Sequence, residues 1–173
     1  MSEMKNRWIA LYVENQVGVL AKVSGLFSGK SYNLQSLTVG TTEDETISRM
    51  TICVTSDDIT FEQIKKQLNR MVEVIKVIDL TDVPIHMKEI LFVKVENLDK
   101  DGLDQLFQIA EVFNTNGGNV RVVDMNGDSA IVESKHTEHR NNELVALLKK
   151  QYKKISVVRG GAVAIESIST GCR

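Results

Sequence analysis

The 173-residue chain contains one proline, Pro84, and the order of hydrophobic patterns before it recurs after it. This repetition constrains the fold strongly, because two copies of one pattern must each bury a core of the same kind. Before Pro84, residues 8–13 form a β-rich run, and Val19, Leu20, Val23, Leu26 and Phe27 then mark one face of a helix. Residues 34–39 and 48–54 are two further β-rich runs. The polar connection Thr41-Thr42-Glu43-Asp44-Glu45 between them predicts a hairpin. Phe61, Ile64, Leu68, Met71 and Val72 mark a second helical face, with Thr60 and Gln63 as a capping box at its start. Residues 74–78 close the set, giving βαββαβ.

After Pro84 the order repeats. Residues 90–95 read as a strand, and Leu103, Leu106, Phe107, Ala110 and Phe113 as a helical face. Residues 120–125 and 129–132 flank the hairpin turn Asn126-Gly127-Asp128. Leu144, Val145, Leu147 and Leu148 mark a fourth helix, residues 155–158 a strand, and residues 162–168 an extra strand. Short identities fall at equivalent places. Val13-Glu14-Asn15 recurs as Val95-Glu96-Asn97, Asn33-Leu34 is echoed by Asn119-Val120, and Lys65-Lys66-Gln67 recurs as Lys149-Lys150-Gln151. The expectation is an α+β chain of two ferredoxin-like βαββαβ domains in tandem: residues 1–80, a linker at 81–88 around Pro84, and residues 89–173.

Charge narrows the partners. With 21 basic and 23 acidic residues the net charge is −2, and no basic stripe suited to nucleic acid is present. Lys149, Lys150, Lys153 and Lys154 fall near a helix end, where cations are ordinary. The N-terminus has no apolar signal region and no run of about 18 apolar residues occurs, so neither secretion nor a membrane span is expected. Cys53 on a strand and Cys172 in the tail are too few for a disulfide framework, which predicts a reduced, cytoplasmic setting.

A search for catalytic chemistry finds no constellation. Gly29-Lys30-Ser31 resembles the end of a phosphate loop, but Ser24 stands where that motif needs glycine, and the segment closes a helix. His136 and His139 lack a nearby third ligand, His86 sits in the linker, and Cys53 occupies an apolar strand position. Glu43, Asp44 and Glu45 are solvated carboxylates of a hairpin. No group supplies both a nucleophile and a base, so no catalytic residue and no metal site is assigned.

The remaining candidate is the turn between the first strand and first helix, Asn15-Gln16-Val17-Gly18. One reading is an ordinary connection, with Gly18 making the turn and Asn15 helping to cap the helix. The other is a binding site. A helix start at Gly18 presents unpaired N–H groups to a carboxylate, and an asparagine amide can serve both charged ends of a free amino acid. A dissociation constant of about 0.1 mM needs about −5.5 kcal/mol. An exposed helix terminus contributes only about 0.3–1 kcal/mol. The turn therefore needs a second wall, which Asn33 and Leu34 of a neighbouring subunit can offer.

The stretches "ENQVGVLAKVSGLF", "YNLQSLTVG", "SRMTI" and "QIKKQLNRMVEVIKVIDL" resemble, in order, the ACT domain of the small, regulatory subunits of acetolactate (acetohydroxyacid) synthase. "KEILFVKV" and "RGGAVAIES" are similar to the C-terminal domain of that family. One departure is Val17, where many ACT loops carry a proline that would only stiffen the turn.

The resemblance implies a non-catalytic subunit that activates a large catalytic subunit and confers feedback inhibition by valine or a related branched-chain amino acid. Thiamine diphosphate, Mg²⁺ and FAD would belong to the large subunit, with none in this chain. It also implies a homodimer paired through ACT domains. The effector would lie between Asn15, Gln16, Val17, Gly18, Val19 and Leu20 of one chain and Asn33 and Leu34 of its partner. The second domain's corresponding loop, residues 97–102, is longer and carries Asp99 and Asp101. Those carboxylates would repel an effector's carboxylate, so no matching site is expected there. The rival class is a stand-alone ACT-type sensor controlling another enzyme or a transcription factor. A small enzyme on the same scaffold is the third class, and it lacks catalytic residues.

Overall fold

The computed structural model describes residues 3–30, 32–114 and 119–168. Ser31 and Cys172, named above, lie outside the described residues. Twelve elements follow in the predicted order. In the first half these are β1 (Lys5–Glu14), α1 (Val19–Gly29), β2 (Asn33–Thr41), β3 (Ile47–Ser56), α2 (Asp58–Leu68) and β4 (Val74–Asp79). In the second they are β5 (Ile85–Glu96), α3 (Lys100–Phe113), β6 (Asn119–Met125), β7 (Ser129–His136), α4 (Glu138–Gln151) and β8 (Lys154–Glu166). Each half forms an antiparallel sheet with one strand order, β2-β3-β1-β4 and β6-β7-β5-β8.

The repeat is visible in the cores. Alternate residues Ile9, Leu11 and Val13 of β1 pack against Val23 and Phe27 of α1 and Phe61, Ile64 and Leu68 of α2. In the second half Leu91, Val93 and Val95 of β5 take the same positions, with Leu106, Ala110 and Phe113 of α3 and Leu144 and Leu148 of α4. A period of two on the strands meets a period of three to four on the helices, so each sheet has one helix-covered face. Burying each such side chain fully is worth about 1.5–3 kcal/mol.

Several boundaries differ from expectation. Strand β5 begins at Ile85, inside the expected linker, which leaves residues 80–84 as the connection after β4. The chain divides into residues 1–86 with 164–173 and residues 87–163, so the end of β8 is counted with the first unit. Residues 155–158 and 162–168 are not two strands, because β8 runs without a break from Lys154 to Glu166. Gly160 lies close to a neighbour, since a Cβ there would sit 2.6 Å from Ile90 Cγ2, and Gly161 has a φ of 77°. Glycines that read as a break in sequence are here a close strand–strand approach. The N-cap of α2 is Asp57, whose carboxylate accepts from Thr60 N at 2.7 Å, so Thr60 receives the cap instead of supplying it. Phe107 lies on the outer side of α3, 44% exposed, and not in the core.

Candidate functional site

The loop after β1 is braced by its own neighbours. Asn15 N–H donates to Thr46 O at 2.7 Å, and Gln16 N–H to Glu14 O at 3.0 Å. The Asn15 side chain is committed at both ends, with Nδ2 donating to Glu45 O at 2.8 Å and Oδ1 accepting from Ser48 Oγ at 3.0 Å. Asn15 therefore ties the loop to the β2–β3 connection and keeps one N–H and one lone pair for anything else. The Asp44 carboxylate organises that connection by accepting from Thr46 N and Oγ1, which holds its pKa below the ordinary value.

Gly18 follows with φ 89° and ψ −9°, a left-handed conformation that side chains with a Cβ adopt at a cost. A Cβ at Gly18 would meet nothing within 4 Å, so dihedral preference and not space selects glycine. The α1 N-cap has no side-chain hydrogen bond, whereas α2, α3 and α4 are capped by Asp57, Asp99 and Thr137. Val19 N–H donates to Gln16 O at 3.3 Å, while the amides of Gly18, Leu20 and Ala21 donate to no other described residue. The first helix thus begins with open donors, exposed Val17 and exposed Leu20 beside them. Val19 turns into the core, buried with Val23 and Phe27, so its side chain anchors the turn instead of lining it. One turn on, the Lys22 ammonium pairs with Glu73 and lowers the pKa of that carboxylate.

Asn33 and Leu34 do not join this loop within one chain. Asn33 is exposed and level with Thr55, which is itself level with Asn6 at the start of β1. Nine residues of strand separate Asn6 from Asn15, about 30 Å at about 3.3 Å per residue. Leu34 is half-buried against the first core. Strand β2 is, however, an edge strand of its sheet. An antiparallel pairing of two β2 edges about Leu37 would place Asn33 of one chain opposite Thr41 of the other. Thr41 is level with Ser48, and Ser48 with Val13, beside the Asn15 loop.

The corresponding loop of the second domain is filled by its own side chain. Asp99 Oδ1 accepts from Gly102 N at 2.7 Å, occupying the position an incoming carboxylate would take. Tyr152 OH donates to Gly102 O at 2.9 Å, and burial, followed by the Asp99 charge, raises its pKa. His136 and His139 diverge: His136 is buried with Nε2 2.9 Å from Phe113 O, and exposed His139 lies 3.3 Å from Glu143. Among the described residues no group of three potential ligands gathers as a metal site, and no helix is long and apolar enough to cross a membrane.

Comparison with known proteins agrees with both halves. Residues 9–76 match the family described as AHAS small subunit-like ACT domain, and residues 88–168 the family described as small subunit of acetolactate synthase. The acetolactate synthase small subunit of Aquifex aeolicus is 39% identical over 147 residues, 85% of this chain and 74% of that protein. A probable acetolactate synthase small subunit of Archaeoglobus fulgidus is 38% identical over 157 residues, 91% of this chain and 94% of that protein. The crystal structure of the Thermotoga maritima acetolactate synthase small subunit superposes with a TM-score of 0.84 at 31% identity, covering 96% of this chain and 99% of that one.

Proposed function

The chain belongs to the acetolactate synthase small-subunit family, and from that premise we propose that it is a regulatory subunit that activates a catalytic large subunit and makes it sensitive to valine. Thiamine diphosphate, Mg²⁺ and FAD are assigned to that large subunit. The effector site is assigned to the junction of two ACT domains. One chain offers the open amides of Gly18 and Leu20, the spare Asn15 N–H and the exposed Gln16 and Val17, and the other offers Asn33 and Leu34.

The observation that carries this reading is the level of Asn33. It lies at the far end of its own sheet from Gly18, yet edge pairing of β2 with a second β2 would bring it to the partner's Gly18 loop. The arrangement supports a homodimer as the binding unit. It also supports recognition of both charged ends of an amino acid, the carboxylate by helix amides and the ammonium by the Asn33 amide oxygen. Regulation follows by linkage. Valine favours one arrangement of the paired domains and the catalytic subunit the other, so each weakens the other's hold.

The test is to mix the purified chain with the catalytic subunit and measure acetolactate formation with and without valine. Activation that valine reverses is the expected result; a rate unchanged by the chain refutes the proposal.

A further inference from the structure

The connection between β2 and β3 is more ordered than a hairpin requires. Thr46 N–H donates to Asp44 Oδ1 at 2.9 Å, and Thr46 Oγ1 to the same oxygen at 2.6 Å. Ile47 N–H donates to Asp44 O at 2.9 Å, and Thr42 Oγ1 to that carbonyl at 3.0 Å. These bonds fix the peptide groups of Glu45 and Thr46 from both ends. The two carbonyls so fixed are the ones that hold Asn15, since Glu45 O accepts from its side chain and Thr46 O from its backbone. Ser48, only 6% exposed, closes the grip by donating from Oγ to Asn15 Oδ1. Asn15 lies three residues before Gly18, so a connection distant in sequence sets where the loop before α1 stands.

The second domain lacks this grip. Its loop is tied to the β6–β7 connection by a backbone bond, Leu98 N–H to Asp128 O at 2.7 Å. Asn126 Oδ1 accepts from the amides of Asp128 and Ser129 and orders that turn internally. The side chain of Asn97, the counterpart of Asn15, bonds no other described residue. The grip therefore accompanies the loop whose amides are open and is missing where Asp99 fills them. The β2–β3 connection also ends the edge strand. Thr41 is level with Ser48, and pairing of two β2 edges about Leu37 would set the partner's Asn33 opposite Thr41. Residues 42–47 thus hold the Asn15 loop on one side and end, on the other, the strand that would bring in the second wall.

We propose that Asp44 and Ser48 are positioning residues of the effector site, Asp44 by setting the Glu45 and Thr46 carbonyls and Ser48 by orienting the Asn15 amide. This rests on the regulatory-subunit reading and adds the residues that set the affinity of its site without touching the effector. A recognition side chain already held by its neighbours loses little rotamer freedom when the ligand arrives. Released from Glu45 and Ser48, the Asn15 amide would have to be ordered by the effector itself, and the spacing of the two walls would be set less tightly.

The test measures acetolactate formation by the catalytic subunit with the full chain across a valine series, alongside urea unfolding of each variant. The variants are Asp44→Ala, Asp44→Asn, Ser48→Ala and, as control, Glu43→Ala, which removes an exposed charge of the same sign from the same connection. Asp44→Ala and Ser48→Ala are each expected to raise the valine concentration for half-inhibition about three- to tenfold, the worth of one hydrogen bond, with activation kept. Asp44→Asn should stay within about twofold of wild type, because an amide oxygen still accepts from Thr46 N. Glu43→Ala should change nothing. Half-inhibition of Asp44→Ala and Ser48→Ala at the wild-type concentration, whatever their urea midpoints, overturns the positioning role and leaves the regulatory reading intact. Equal weakening in Asp44→Ala and Asp44→Asn assigns the effect to charge and also overturns it. A wild-type enzyme that valine does not inhibit overturns the regulatory reading itself. Should Ser48→Ala prove unfolded, the two Asp44 variants decide alone, since Asp44 is exposed.

Discussion

Gly18 separates backbone strain from charge in a way that a substitution series can read. Asparagine and aspartate tolerate the left-handed conformation better than alanine does. They are nearly the same size and differ in charge. With φ at 89° and open space around a Cβ, Gly18→Ala should cost about 1–2 kcal/mol of stability through the dihedral alone. Gly18→Asn should cost less and leave the neighbouring amides available. Gly18→Asp sets a carboxylate beside the place proposed for the carboxylate of valine. Repulsion at about 4 Å is about 1 kcal/mol in water, and each charge-assisted hydrogen bond lost to the effector adds about 1.5–3 kcal/mol. A combined loss of about 2–4 kcal/mol raises the valine concentration for half-inhibition about thirty- to a thousand-fold. The assay is acetolactate formation by the reconstituted enzyme across a valine series, with urea unfolding of each variant alongside. Activation should survive in both Gly18→Asn and Gly18→Asp. Half-inhibition of Gly18→Asp at the wild-type valine concentration, with the protein folded, refutes the placement of the carboxylate.

Three other perturbations follow from the geometry. Gly160→Ala should destabilise the second domain by about 1–3 kcal/mol, because its Cβ meets Ile90 Cγ2 at 2.6 Å; in urea titrations Ile90→Ala should recover most of that loss in the double variant. Asp57→Ala should cost about 1 kcal/mol through the lost cap of α2, while Gln63→Ala stays within about 0.5 kcal/mol. Equal urea midpoints for the two would restore the capping-box reading. Burial pushes the Asp79 pKa up, but hydrogen bonds from Lys65 and Thr81 outweigh it, leaving the pKa below its ordinary 3.8. A lowered folded pKa means stabilisation present above 3.8 and lost as pH falls through the folded value. The gap in urea midpoint between wild type and Asp79→Asn should therefore be full at pH about 5 and shrink on acidification below about 4.

The fold was legible wherever hydrophobic period and turn chemistry agreed. The alternation of Ile9, Leu11 and Val13, and its echo in Leu91, Val93 and Val95, placed the central strand of each half, and Asn126-Gly127-Asp128 fixed a hairpin. The misreadings came where a residue type has two uses. Gly160-Gly161 reads as a break but serves a strand that runs close against Ile90, and Ile85 follows a proline yet starts a strand. Thr60 resembles a cap, but Asp57 lies one turn earlier and its carboxylate is the stronger acceptor for the first free amides. At the candidate site the glycine was legible and the asparagine was not. Nothing local to "ENQVG" reveals that Asn15 is held by Glu45 and Ser48, which depends on the register of β1 against β3.

The two first loops show how one scaffold gives unequal chemistry from a shared Val-Glu-Asn. In both, β-strand hands over to a helix whose opening amides need an acceptor. In the second domain the chain supplies it, since Asp99 bonds Gly102 N, and a Cβ on Gly102 would lie 2.9 Å from that carboxylate. Glycine at position 102 is thus needed to admit an internal anion. In the first domain glycine stands at the cap itself, where no side chain can reach back, and the amides of Gly18 and Leu20 stay open. The difference predicts which loop depends on an acceptor of its own. Gly18→Asn, held in a left-handed conformation unlike the extended backbone from which Asp57 caps α2, should leave the amides of α1 open and valine inhibition close to that of the wild type. Asp99→Ala should lower stability by about 0.5–2 kcal/mol, in line with a lost cap. If Gly18→Asn loses valine inhibition as completely as Gly18→Asp does, with both proteins folded, charge beside the open amides is not what excludes the effector.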